Sequence, residues 1–212
     1  PNREGYIFLG WYNGASKWIF ETDTVKGDIE LLAKYEIKKY DVVYKVDGNQ
    51  FHSEVVEHGS TAVGTPTEPT KTGYGFIGWF NGADEFDFIT PVTGELNLDA
   101  KFEINKYEIQ FNSNGGSTVP TQEIEYNQKV VTPTEPTRAG YGFKGWFTDS
   151  TFTAEYDFDT AVTDELTLFA KWERITYSVQ FTSNGGSAVV NQVIGEWDKV
   201  VRPADPTLTH YE

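Results

Sequence analysis

The chain has 212 residues, 38% of them hydrophobic and 16% aromatic, enough to bury cores, with a formal net charge of −15 and a pI near 4.6. That balance excludes a nucleic-acid partner, because neutralising phosphates takes clustered Lys and Arg. The absence of Cys excludes a disulfide framework and a thiolate metal site, and no apolar run approaches the ~20 residues of a membrane-spanning helix.

Four strings recur along the chain in one order. GYIFLGW starts at Gly5, AKYE at Ala33, the Tyr-led YDVVYKVDGN at Tyr40 and PTEPT at Pro66. The cycle returns as GYGFIGW from Gly73, AKFE from Ala100, YEIQFNSNGG from Tyr107 and PTEPT from Pro133. It returns again as GYGFKGW from Gly140, AKWE from Ala170, YSVQFTSNGG from Tyr177 and PADPT from Pro203. Self-similarity at such a period marks a repeat architecture. Pro1, Pro69, Pro136 and Pro206 are spaced by 68, 67 and 70 residues, so three periods take 205 residues and the chain starts and stops at the same phase of the cycle. If a repeat runs from its Tyr-led strand to its AK(Y/F/W)E strand, residues 1–36 are a back half, 37–103 and 104–173 are complete repeats, and 174–212 are a front half. Such ends suit a fragment of a longer array. A repeat of this size removes only roughly 60% of its unfolded surface from water and is modestly stable alone, so neighbouring repeats of the same chain are expected partners.

Within the repeat from Tyr107, Tyr107, Ile109 and Phe111 alternate with Glu108, Gln110 and Asn112, the period of a half-buried strand. Asn114-Gly115-Gly116 predicts a tight hairpin turn, and Ile124 and Tyr126 predict one face of the return strand, opposite Glu123 and Glu125. Pro133 and Pro136 hold an extended connector in which no ordinary helix fits. Gly142 and Gly145 mark a backbone bend or room for a neighbouring ring. The last strand, Leu166 to Trp172, sends Leu168, Ala170 and Trp172 one way and Thr167, Phe169 and Lys171 the other. The expected class is mostly β or α+β with little helix.

The run G-Y-x-F-x-G-W, then D-F-x-T and T-x-(D/G)-E-L-x-L-x-A-K-(Y/F/W), then Y-x-(V/I)-x-F-x-S-N-G-G-S, resembles the Listeria–Bacteroides repeat of the B-repeat type over the whole chain. The resemblance implies tandem small β-grasp-like domains, related in shape to ubiquitin-like and mucin-binding modules, in bacterial surface or secreted proteins. It implies no catalytic residues. The repeat from Tyr40 departs from the pattern with Val46-Asp47-Gly48-Asn49-Gln50 in place of S-N-G-G-S, which predicts a different turn.

A recurring aromatic inside an alternating strand is read as a core anchor, although a tryptophan is also able to stack on a sugar ring. The expected core is Tyr6, Trp11, Tyr74, Trp79, Tyr141, Trp146, Phe111 and Phe181. Trp197 stands where the previous repeat has Asn127, at the end of a strand, and is a candidate exposed contact. The segment from the residue after G-W to the threonine of the D-F step varies most, at 13, 11 and 14 residues. In its longest version Asp149, Ser150, Thr151 and Phe152 are candidate ligand-binding residues, since variable loops on a constant scaffold build recognition surfaces; unrestrained drift explains the same variation.

His52, His58 and His210 form no recurring cluster, so no metal site is expected. Asp87, Asp157 and Asp159 suit turn capping better than acid–base pairing. No nucleophile elbow, calcium loop or phosphate-binding glycine loop is present, so neither enzyme activity nor a cofactor is expected. The acidity reads as solubility and self-repulsion between repeats; the alternative is a patch that recruits a basic partner or Ca²⁺. The functional expectation is a structural and adhesive segment of a bacterial surface or secreted protein, with a host or cell-surface protein or glycan as partner through weak, repeated contacts. The alternative is a specific recognition module. A third reading, from the phase of the ends, has one chain's front half complete another's back half in a filament.

Overall fold

Alternating strands separated by turn residues, with prolines wherever a helix would need amide donors, leave β structure as the local choice. The computed structural model describes residues 1–65 and 67–208, so Pro66 of the first proline pair, and His210, lie outside the described residues. All regular structure among those described is β, and no helix is long and apolar enough to cross a membrane. The chain forms two compact bodies, the first from Pro1 to Ile104 and the second from Asn105 onward.

In the first body, β1 (Tyr6–Asn13) lies between β2 (Ser16–Lys17) and β3 (Leu32–Ile37), both antiparallel to it. A complete repeat follows as a five-stranded sheet of β4 (Lys39–Val46), β5 (Asn49–Glu57), β6 (Tyr74–Asn81), β7 (Asp84–Glu85) and β8 (Leu96–Ile104), in the order β5-β4-β8-β6-β7. The central pair is parallel, with Val42 opposite Leu96 and Tyr44 opposite Leu98; the other pairings are antiparallel.

The second body repeats the plan. β9 (Lys106–Asn112), β10 (Gln122–Glu125), β11 (Tyr141–Phe147) and β12 (Leu166–Arg174) order as β10-β9-β12-β11, again with a parallel centre in which Ile109 faces Leu166 and Phe111 faces Leu168. Residues beyond this repeat form the hairpin β13 (Thr176–Val179) and β14 (Gln192–Gly195).

The parallel pair is where each core sits. Val42, Tyr44, Val56, Ala62, Trp79, Val92 and Leu98 cluster in one repeat, and Ile109, Val119, Val130, Trp146, Val162, Leu168 and Ala170 in the next. Trp79 stands edge-on to Tyr44 at 5.0 Å between ring centres, and Trp146 stands the same way to Phe111 at 5.0 Å. Such contacts add about 0.5–1.5 kcal/mol beyond area burial.

Of the eight expected core residues only Trp79 and Trp146 are buried, and the other six are corrected. Tyr6 and Tyr141 are only half-buried and Tyr74 is 37% exposed, because each ring lies under a cation instead of inside the buried cluster: Arg3 over Tyr6, Lys71 over Tyr74 and Arg138 over Tyr141. Trp11 is half-buried, since β3 has no parallel strand beside it. Phe111 and Phe181 are half-buried as well: Phe111 packs against the buried cluster from β9, paired along β12, while β13 stops at Val179, before Phe181.

The hairpin turn is corrected too. Asn114 and Gly115 do adopt positive φ, and the Gly116 amide donates to the Ser113 carbonyl at 2.9 Å, but β10 begins only at Gln122, so residues 113–121 form a long connection. The turn is held by tertiary contacts: Asn114 Nδ2 donates to Ala170 O at 2.8 Å and Trp172 Nε1 to Ser113 O at 2.8 Å. The divergent turn of the earlier repeat is the tight one, with Asp47 and Gly48 alone between the paired Val46 and Asn49.

Candidate functional site

The second glycine of each G-Y-x-F-x-G-W string sits at a β-bulge or register shift, between Phe8 and Gly10, Phe76 and Gly78, and Phe143 and Trp146. A side chain from the facing segment lies across it: a Cβ on Gly10, Gly78 or Gly145 would stand 2.7, 2.8 or 2.6 Å from Lys17, Glu85 or Glu155 respectively. The bulge turns the following tryptophan inward. With Trp79 5% and Trp146 3% exposed, neither indole offers a face on which a sugar would stack. An open depression of about 310 Å³ beside Trp79 is walled by Phe76, Phe86 and Phe88 and rimmed by Glu68 and Glu85.

The variable loop is a self-contained structure. The Asp149 carboxylate accepts hydrogen bonds from the Thr151 amide at 2.9 Å, the Thr153 amide at 3.1 Å, the Thr153 hydroxyl at 2.8 Å and the Ala154 amide at 3.2 Å, and from the Thr151 hydroxyl. The two threonine hydroxyls, then the amides, hold its pKa well below the usual carboxylate range. Phe152 takes φ of 58° and folds edge-on against Phe147, 5.8 Å between ring centres, which is why Phe147 is buried. Of the four loop candidates, Ser150 and Thr151 are exposed, while Asp149 and Phe152 are turned to the loop's own support.

Trp197 is 83% exposed and adopts φ of 70°. It occupies the third position of a turn closed by the Asp198 amide on Gly195 O at 3.0 Å. The same turn is built around Gly59 with φ of 83° and Asn127 with φ of 64°, residue types that tolerate this conformation far better than tryptophan. Trp197 is therefore held in a strained backbone state. Its Cδ1 comes within 3.7 Å of where a Cβ on Gly140 would stand.

That contact belongs to a recurring joint. β3 passes to β4 through Lys38 alone, β8 to β9 through Asn105 and β12 to β13 through Ile175. The Lys38 amide donates to Gly5 O and its carbonyl accepts from the His58 amide, both at 2.8 Å. Ile175 repeats this, donating to Gly140 O and accepting from Glu196, both at 2.9 Å. Gly5 and Gly140 have φ of 74° and 78°, and a Cβ on Gly5 would lie 2.1 Å from the His58 ring. At Gly5 and Gly140 the first glycine of the motif thus provides the seat for the turn that follows, at His58 and at Trp197.

His58 is accounted for by this joint and by its contact with Tyr40, and His52 packs on Tyr44 at 5.6 Å. No group of three or more His, Cys, Asp or Glu residues among those described is arranged to hold a metal ion. Asp87 and Asp157 cap turns by accepting from the Ile89 and Asp159 amides at 3.0 and 2.8 Å, and Asp159 pairs with Lys129 at 2.8 Å.

Sequence reasoning missed a clamp at one position of the cycle. Gln122 and Gln192 each exchange two hydrogen bonds with one backbone residue of the connector, Val131 and Val201. Glu54 stands at the equivalent place and accepts from the Val63 and Gly64 amides and from the Tyr44 hydroxyl. The signal was an amide or carboxylate at the same phase of all three periods.

The profile of the Listeria-Bacteroides repeat domain matches four segments, residues 1–34, 40–101, 107–171 and 177–212. A protein of Evansella cellulosilytica described as a Gly-rich membrane protein is 39% identical over 98% of this chain and 24% of its own length. A second protein of that organism, described as a membrane protein, is 38% identical over 83% of the chain and 27% of its length. Internalin H of Listeria monocytogenes is 34% identical over 64% of the chain and 25% of its length. The chain thus spans about a quarter of each relative. With repeats covered from one end to the other, it belongs to the Listeria-Bacteroides repeat domain family.

Proposed function

We propose that this chain is a structural and adhesive spacer in a bacterial surface protein, built of β-grasp-like repeats with boundaries at 1–36, 37–103, 104–173 and 174–212. The carrying observation is that one repeat family accounts for the chain end to end while single residues join successive repeats. The mixed sheet with a parallel central pair supports the β-grasp-like reading. The names of the membrane-protein relatives and of internalin H support placement at the cell surface; the partner proposed with it is a host or cell-surface protein or glycan. Contacts too weak alone gain strength by repetition.

The test is retention of chain-coated particles on host cells as coating density rises, with the free 212-residue chain as competitor. The spacer reading expects retention to climb steeply with density and the free chain to compete poorly. Tight, saturable competition that disappears when residues 149–155 are replaced by the shorter loop of the preceding repeat would instead establish a specific recognition module.

A further inference from the structure

Each complete repeat begins and ends on the two strands that lie side by side at the centre of its sheet, β4 with β8 and β9 with β12. These strands are parallel, paired from Val42 opposite Leu96 to Lys45 opposite Asp99, and from Ile109 opposite Leu166 to Asn112 opposite Phe169. The first residue of β4, Lys39, and the last of β8, Ile104, therefore lie at opposite ends of their pair. Tension along the chain draws the two strands past each other along their own axes. Every hydrogen bond of the parallel ladder is then loaded at once, and none yields until the strands slide. The sliding surface is also the core: Val42, Tyr44 and Leu98 in one repeat, and Ile109 and Leu168 in the other, are 0% exposed. A hairpin pulled at its open end behaves oppositely, because its bonds break one after another.

The joints add no slack to this path. Force enters and leaves each central pair through a single residue, Lys38 and Asn105 for β4 and β8, and Asn105 and Ile175 for β9 and β12. Lys38 and Ile175 are themselves fastened on both sides by backbone hydrogen bonds.

We infer that each complete repeat is a force-bearing module, a shear clamp whose two central strands carry tension along the chain. This deepens the spacer reading and rests on it for the source of the load, but the mechanical resistance is a property of the repeat itself.

Single-molecule pulling tests it on the full chain, whose lack of Cys allows handles to be placed at will. Lys39→Cys with Glu103→Cys loads the parallel pair in shear. Lys39→Cys with Glu57→Cys unzips β4 from β5, whose open end those two residues form. All three positions are exposed, and denaturation of each pair of variants checks that both are equally folded. At equal pulling speed the shear pair is expected to rupture at several-fold higher force. Forced unfolding follows the barrier rather than equilibrium stability, so equal stability does not predict equal force. Pulling the whole chain by its ends is expected to give two high-force events, each releasing on the order of 200 Å of chain. Equal rupture forces in the two geometries, or gradual extension at low force, would overturn the clamp while leaving the spacer reading intact. High shear resistance in a chain that proves absent from the cell surface would overturn the spacer reading alone.

Discussion

The Tyr44 hydroxyl donates a 2.6 Å hydrogen bond to Glu54 Oε1 across neighbouring strands of one sheet. Burial, then the bond to and the charge of Glu54, push the Tyr44 phenol well above its usual range. For Glu54, burial alone would raise the pKa, but the Tyr44 hydroxyl, the Gly64 and Val63 amides and nearby His52 hold it below the ordinary value. The equivalent pair one period later, Phe111 and Gln122, has no hydroxyl and no charge. Both partners have changed together, at unchanged positions in the repeat.

Glu54→Ala should destabilise the chain by about 1–3 kcal/mol, since it leaves the Tyr44 hydroxyl and two connector amides without their acceptor. Tyr44→Phe with Glu54→Gln, which installs the neighbour's pair, should cost less than the two single changes summed. Denaturant titration of the four proteins measures the coupling, and strict additivity would show that the pair does not act as a unit.

The same carboxylate sets a pH dependence. Its folded pKa lies below the unfolded one, so its contribution is present above the ordinary glutamate value of about 4.3 and is lost as pH falls through the folded value. Acid titration of stability should show a loss on the acid side that Glu54→Gln removes. An identical acid limb in both proteins would refute it.

The glycines beneath Glu85 and Glu155 should respond differently. Gly78 meets only the flexible end of Glu85 and has no left-handed φ, whereas Gly145 has φ of 113° in addition to Glu155. Gly78→Ala should therefore be largely rescued by Glu85→Ala. Gly145→Ala should cost about 1–3 kcal/mol with or without Glu155. Thermal unfolding of the singles and doubles checks this.

Asp149→Ala should loosen the longest loop without altering the sheet, because the carboxylate gathers the Thr151, Thr153 and Ala154 donors. Amide exchange at Thr151, Thr153 and Ala154 should accelerate and proteolytic nicking should appear near Phe152. In the unmodified chain the loop should stay ordered near pH 3.9, where an ordinary aspartate is about half protonated, since its depressed pKa delays that loss to lower pH.

At the joints, the Lys38 and Ile175 amides should exchange as slowly as strand amides although each residue lies between strands. Gly5→Ala should speed exchange at Lys38, because the new Cβ meets the His58 ring and the φ is unfavourable. Rapid exchange at Lys38 in the unmodified chain would mean that the joint is loose.

Period, strand alternation and proline connectors were legible because they are local. Alternation at Tyr107, Ile109 and Phe111, and positive φ at Asn114 and Gly115, depend on a few adjacent residues, and the repeat offered the strand reading three times and the Asn-Gly-Gly reading twice. The length of the hairpin connection was not legible, because Asn114 and Ser113 are held by Ala170 and Trp172, residues more than 50 positions away. The G-Y tyrosines read as core because they recur in strands, yet their faces are set by cations from the preceding turn. Asp149 looked like an open contact until the loop closed around it. The parallel pairing of β4 with β8 and β9 with β12, and the meeting of Tyr44 with Glu54, were decided by tertiary structure, since which edge meets which depends on burying all the apolar faces at once and leaves no mark at short spacing.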